Sequence, residues 1–361
     1  MFKSKKSDSS LKVNTKPIII ASICFIIFML LLTIGCLVYL KELTDNNTKE
    51  IMGEEYQKYD NYYVMISGNR KSYFWKRVYE GAKEALDENS YIEVLGNNLS
   101  EEYSTAALMQ IAINSRVDGI ILEAAESTEI TRLINEANDA GIPVVTAVND
   151  NNSSMRKSFV GVNSYNLGMA YGQQVCEIVK ASGGIENGTS KTTVLVLMNA
   201  NTDNNIQNIV FSGIKDAVKD CPTPENIDLK TIAISNNAAF AAEEFIRDIF
   251  IKQVDMPDII ICMDELNTTC VYQEAVDYNK VGRINIIGYD DSDTILRGIE
   301  RNVIYSTISV DTKQIGADCI KALEEYKKTG HVSAYFDVDI SVITADNVNK
   351  YLGDTDESVI E

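Results

Sequence analysis

Residues 117–146 read VDGIILEAAESTEITRLINEANDAGIPVVT, and this stretch decides the fold. Val117–Leu122 is a short apolar run of the kind that forms a strand buried on both faces. Glu129–Ala140 reads as a helix closed by Gly141, and Ile142–Thr146 is a second apolar strand. Strand, helix and strand in this order make a βαβ unit, whose strands run parallel because the helix carries the chain back.

The same alternation extends both ways. Upstream lie strands at Tyr63–Ile66 and Tyr91–Leu95, with helices at Val78–Leu86 and Tyr103–Asn114; Gly81 and Ala82 are small enough for close packing. Downstream, Ser158–Val162 closes the first series and Asn166–Ser182 is a helix. The pattern then restarts with strands at Thr193–Leu197, Lys230–Ile234, Asp258–Cys262 and Ile284–Gly288. Helices at Ile206–Lys219, Ala238–Lys252, Leu266–Tyr278 and Asp293–Arg301 alternate with them. The reading is α/β, with two doubly wound parallel-sheet lobes and a crevice where their carboxyl rims face each other.

Composition fits such a body: 45% of residues are apolar and 24% charged. The formal charge is −19, and the residues after the amino-terminal basic segment are more acidic still. An acidic body is repelled by phosphate backbones, so nucleic acid is not expected as a partner. The single His, His331, leaves no material for a His triad or a His-rich metal site. No G-x-S-x-G elbow, P-loop or HExxH is present, so neither an enzyme centre nor a cofactor or metal is expected. Cys176, Cys221, Cys262, Cys270 and Cys319 are odd in number and lack CxxC spacing, so neither a disulfide framework nor a zinc site is expected, and Cys262 at a strand end and Cys319 on a helical face read as buried thiols.

Residues 1–16 are basic and polar, and Pro17–Leu40 carries no charge. A helix of that length reaches roughly 36 Å, enough to cross a bilayer. Lysines before it and an acidic body after it predict a single-pass anchor in the cell membrane, with the amino terminus cytoplasmic and the body extracytoplasmic. A lipoprotein reading competes, because Thr33-Ile34-Gly35-Cys36 resembles a lipobox that would be cleaved and acylated at Cys36. Residues 41–60 read as a stalk, and 349–361 as a flexible tail.

Tyr73, Phe74 and Trp75 fall just beyond the first strand, on the rim where ligands bind in open parallel sheets. A flat ring there suits the C–H face of a sugar; the rival reading has Phe74 and Trp75 covering the top of a core.

VDGIILEAAEST, EANDAGIPVVT, VGVNSYNLGMAYG, PDIIICMDEL, NIIGYDDSD and STISVDTKQIGADC follow one another in an order that resembles the sugar-binding, ribose-binding branch of the type I periplasmic solute-binding proteins. The resemblance covers about Tyr62 to Ala345. It implies two lobes joined by a three-crossover hinge, lobe one being 61–164 plus 311–329 and lobe two 165–308 plus 332–348. It also implies an aromatic clamp at Phe74 and Trp75, with Ser72 beside it. Asp290 would accept ligand hydroxyls, or else cap the helix from Asp293; Phe240 would be an aromatic from lobe two, and Asp264 the acid after its strand. The sequence departs from the family at Asn149 and Asp150, where Asp-Arg is usual, and at Asn208, where Arg is usual. Met263 and Val310 likewise replace amides. The lost guanidinium groups weaken a sugar reading to a small polar ligand.

The resemblance implies a receptor for such a ligand, in the usual case a monosaccharide. A receptor of this kind feeds an ABC permease or reports to a sensor histidine kinase. An enzyme on the same two-lobe fold is the alternative, and a transcription regulator lacks its helix-turn-helix here.

Overall fold

The computed structural model describes residues 29–35, 59–97, 103–182, 191–200, 204–234, 239–252 and 256–352. The chain divides into two units, Met1–Lys58 and Tyr59–Glu361. In the first, residues 29–35 are helical. The rest of the expected anchor, Cys36 and most of the stalk lie outside the described residues, and no described helix is long and apolar enough to cross a membrane.

The second unit holds two six-stranded sheets. The first contains β1 (Asn61–Ile66), β2 (Ser90–Val94), β3 (Gly119–Leu122), β4 (Val144–Ala147), β5 (Ser158–Gly161) and β11 (Tyr335–Asp337), in the order β11-β5-β4-β3-β1-β2. The second contains β6 (Thr192–Asn199), β7 (Ile227–Ile234), β8 (Ile259–Cys262), β9 (Asn285–Tyr289), β10 (Ser306–Val310) and β12 (Ile340–Thr344), in the order β12-β10-β9-β8-β6-β7. Every pairing is parallel except β10 with β12. All four residues of β3, β4 and β8 are buried, because helices cover both faces of each sheet.

The helices of the first lobe are α1 (Tyr73–Ala85), α2 (Thr105–Ser115) and α3 (Thr128–Asp139). Those of the second are α4 (Ser164–Ala181), α5 (Asn204–Lys219), α6 (Ala239–Lys252), α7 (Glu265–Asp277) and α8 (Asp293–Glu300). After β10 the chain returns to the first lobe as α9 (Thr312–Thr329), which packs on α1. Backbone meets backbone there: a Cβ on Gly316 would stand 2.0 Å from the Val78 carbonyl oxygen. The second lobe repeats this between α4 and α5, where a Cβ on Gly168 would stand 2.0 Å from the Val210 carbonyl oxygen.

Three crossings join the lobes, after β5, after β10 and between β11 and β12. They are tied side by side: Val338 N donates to Gly161 O at 3.1 Å, Asp311 N to Asp339 O at 3.1 Å, and Asn163 N to Asp337 Oδ1 at 3.0 Å. Residues 335–337 were expected in lobe two, yet they pair with β5 in the first sheet. The strand is only three residues long and its side chains are mostly exposed, so no buried apolar pattern marks it.

Two further expectations change. Helix α1 starts at Tyr73, not Val78, because the Ser72 side chain accepts a hydrogen bond from Trp75 N and caps it. Cys176 and Cys221 are disulfide-bonded rather than free, with Cα atoms 5.0 Å apart. The close approach of α4 to α5 brings them together. Cys262 and Cys319 are buried thiols as expected, and Cys270 is partly buried.

Candidate functional site

A cavity of about 230 Å³ lies between the two lobes. The first lobe contributes Phe74 from the first turn of α1 and Val148 and Asn149 from beyond β4. The second contributes Asn199 at the end of β6, Gln207 and Val210 on α5, Met263 and Asp264 beyond β8, and Tyr289 at the end of β9. The hinge supplies the floor through Gly161, Val162 and Val310. Each position follows from topology, since parallel strands deliver their carboxyl ends to one rim and the crevice opens there.

Five of the sequence-predicted residues thus meet around one space: Phe74, Asn149, Met263, Asp264 and Val310. Asn149 Nδ2 donates to Glu123 Oε1 at 3.4 Å. Burial raises the Glu123 carboxyl above its ordinary range, opposed by hydrogen bonds from Gly68 and Asn69 backbone and from Asn149. Asp264 caps α7 by accepting from Asn267 N and Asn267 Nδ2, each at 2.8 Å.

The other six are placed elsewhere. Ser72 is the cap of α1. Trp75 is only 4% exposed and packs in the first lobe's core, its ring edge-on to Phe74 at 5.7 Å between centroids. The earlier helix start explains this, because Trp75, Val78 and Ala82 then share the buried face while Phe74 turns toward the crevice. Asp150 is held inside the first lobe by Arg156, whose Nη2 lies 2.6 Å from Oδ2, and by the Thr146 hydroxyl at 2.7 Å. Asn208 is exposed on α5, and Phe240 is 69% exposed on α6.

Asp290 is buried but does not line the cavity. It adopts φ +86° and accepts from Ser292 N at 2.9 Å, a turn that leads into α8 without occupying its cap, which is Ser292. Burial, with Glu265 and Asp291 nearby, pushes its carboxyl up to about 7.

Sequence reasoning missed Gln207, which stands one residue from the expected Asn208. The signal lay in the stripe Gln207, Val210, Ile214 and Ala217, whose helical spacing puts Gln207 and not Asn208 on the buried face. Its amide is fixed by Asn199: Oε1 accepts from Asn199 N at 2.8 Å, and Nε2 donates to Asn199 O at 2.7 Å.

The sequence profile of the periplasmic binding protein domain matches residues 62–330. The chain belongs to that family. No curated protein matches it by sequence. Among solved structures, this periplasmic binding protein is similar to GanP, a glucose-galactose binding protein from Geobacillus stearothermophilus. That match has 23% identity and a TM-score of 0.69, and covers 80% of this chain and 98% of the other. A sugar-binding protein of a sugar ABC transporter from Bacillus halodurans matches at 21% identity and TM-score 0.68, covering 81% and 100%. These two carry the fold. XylFII in its complex with LytSN matches at 25% identity and TM-score 0.64, covering 79% and 98%. The two-lobe type I fold implied by the sequence motifs is therefore the family's own.

Proposed function

We propose that this periplasmic binding protein is an extracytoplasmic solute receptor that takes a small carbohydrate into the interlobe cavity and has no chemistry of its own. The observation that carries the reading is a single cavity lined from both lobes and from the hinge, so that one ligand would touch every part that must move in closure. Phe74 offers an aromatic ring for C–H groups, and Asn149, Ser164 and Tyr289 offer polar groups for hydroxyls. The disulfide between Cys176 and Cys221 fits an oxidising, extracytoplasmic setting. Pro17–Leu40 would hold the body at the membrane, with Cys36 lipidation as the rival form of attachment.

The liganded form would feed an ABC permease or be presented to a sensor kinase. The resemblance to XylFII, solved with a second protein, LytSN, supports recognition by a protein partner. Calorimetry with a panel of pentoses and hexoses tests the receptor reading, with small-angle scattering to follow lobe closure. Binding with a reduced radius of gyration is expected; no heat with any monosaccharide would remove it.

A further inference from the structure

Among the described residues, the cavity lining is poor in groups that could hold many hydroxyls. More than half of it is apolar, including Leu167, Ile206, Val210, Met263, Val310 and Ile315. Polar residues are present, but several are engaged within the protein. Both ends of the Gln207 amide bond the Asn199 backbone, and both Asp264 oxygens already accept from Asn267. Among the described residues, the Ser164 hydroxyl, the Tyr289 hydroxyl and the Asn149 side-chain carbonyl carry no hydrogen bond within the protein.

Charge narrows the class further. Neither Lys nor Arg is among the described lining residues, so against them an anionic ligand would lose its hydration without gaining a counter-charge. Arg77, on α1, is paired with Asp291 at 2.6 Å, and Arg156 with Asp150. Size sets the last limit. At about 230 Å³ the space lies below the common range of roughly 300–1,000 Å³ for ligand sites, which restricts it to a single small ring.

We propose that the cavity selects an uncharged deoxy sugar over its fully hydroxylated counterpart, with the deoxygenated carbon against the apolar part of the lining, which includes Met263 and Val310. This rests on the receptor reading above and specifies its ligand class. A hydroxyl set against apolar side chains would leave water without gaining a partner, whereas a methyl or methylene there gains apolar contact.

The test is calorimetric titration of the full chain with sugar pairs that differ by one oxygen: L-rhamnose and L-mannose, L-fucose and L-galactose, 2-deoxy-D-ribose and D-ribose. In the pair that fits best, the deoxy member is expected to bind at least about tenfold more tightly. Met263→Asn, which adds an amide to the lining, is expected to narrow that ratio at least about threefold by strengthening the hydroxylated mate. Equal or tighter binding of the hydroxylated mates would overturn the inference and leave the receptor reading standing. Tighter binding of D-glucuronate or ribose 5-phosphate than of any neutral sugar would overturn the uncharged class. Silence with all six sugars, beside heat with another monosaccharide of the wider panel, would overturn the deoxy-sugar inference and leave the receptor reading standing.

Discussion

Arg77 on α1 and Asp291 beyond β9 form an ion pair of 2.6 Å that joins the two lobes directly, away from the hinge. Their side chains are 25% and 12% exposed, so the pair is shielded enough to matter and wet enough to break. Without Arg77, Asp291 would keep its acidic neighbour Asp290 and lose the cation that pairs with it across the lobes. Arg77→Met is therefore expected to favour the open arrangement and to weaken ligand binding about tenfold, or ~1.4 kcal/mol. Scattering of the ligand-free variant should show a larger radius of gyration than the parent. An unchanged radius and affinity would assign the pair no role in closure.

Asp290 should make stability fall as pH rises. Its folded-state carboxyl titrates at about 7, against about 3.9 in an unfolded chain. Between those values the native state binds more protons than the unfolded state. Its contribution is thus fully present below about pH 4 and lost as pH rises through about 7. Asp290→Asn keeps an acceptor for Ser292 N and removes the charge. Above pH 8 it is expected to exceed the parent by roughly 2–4 kcal/mol in urea unfolding, with the difference shrinking toward pH 4. A difference independent of pH would show that burial does not shift this group.

Reduction of the Cys176–Cys221 bond is expected to lower stability by about 2–4 kcal/mol, since it closes a sizeable loop of the unfolded chain. Melting with and without a thiol reductant reads this directly. A Cys176→Ala/Cys221→Ala double variant should melt at the reduced temperature and ignore the reductant. Identical melting of the parent in both conditions would mean the bond does not form.

Gly316→Ala should destabilise although alanine is the better helix former. The added methyl would stand 2.0 Å from the Val78 carbonyl oxygen, which is backbone and cannot swing aside. A loss of about 1–3 kcal/mol or more is expected in urea unfolding. A neutral or stabilised variant would mean that α1 and α9 separate at little cost.

The two lobes were legible because parallel strands covered on both faces are written as bare apolar runs, as in Ile120–Leu122 and Ile259–Cys262. What escaped depends on contacts that no local window contains. Nothing near Cys176 points to Cys221; the pairing requires α4 and α5 to meet at Gly168 and Gly213. β11 is recognisable only by its partner β5. At the site, the sequence located the right turns but not always the right side chains. One residue of helical register separates exposed Asn208 from buried Gln207, and the unrecognised Ser72 cap turned Trp75 inward.

That inward turn separates two aromatic neighbours into different roles, which substitution can distinguish. Phe74 lines the cavity while also touching the core, and Trp75 is enclosed by the core with its ring edge-on to Phe74. Phe74→Ala is expected to weaken ligand binding by about 2 kcal/mol or more, because a central aromatic contact is lost. Its effect on melting should be smaller than that of the neighbouring change. Trp75→Ala is expected to cost about 3–5 kcal/mol of fold stability by leaving a large cavity. Trp75→Phe, which keeps a ring in the core, should restore most of that stability and bind ligand as the parent does. The tryptophan emission itself should be blue-shifted and resistant to iodide, as befits a ring 4% exposed. If Trp75→Phe instead abolished binding while melting normally, the indole would belong to the site and Phe74 would be its support.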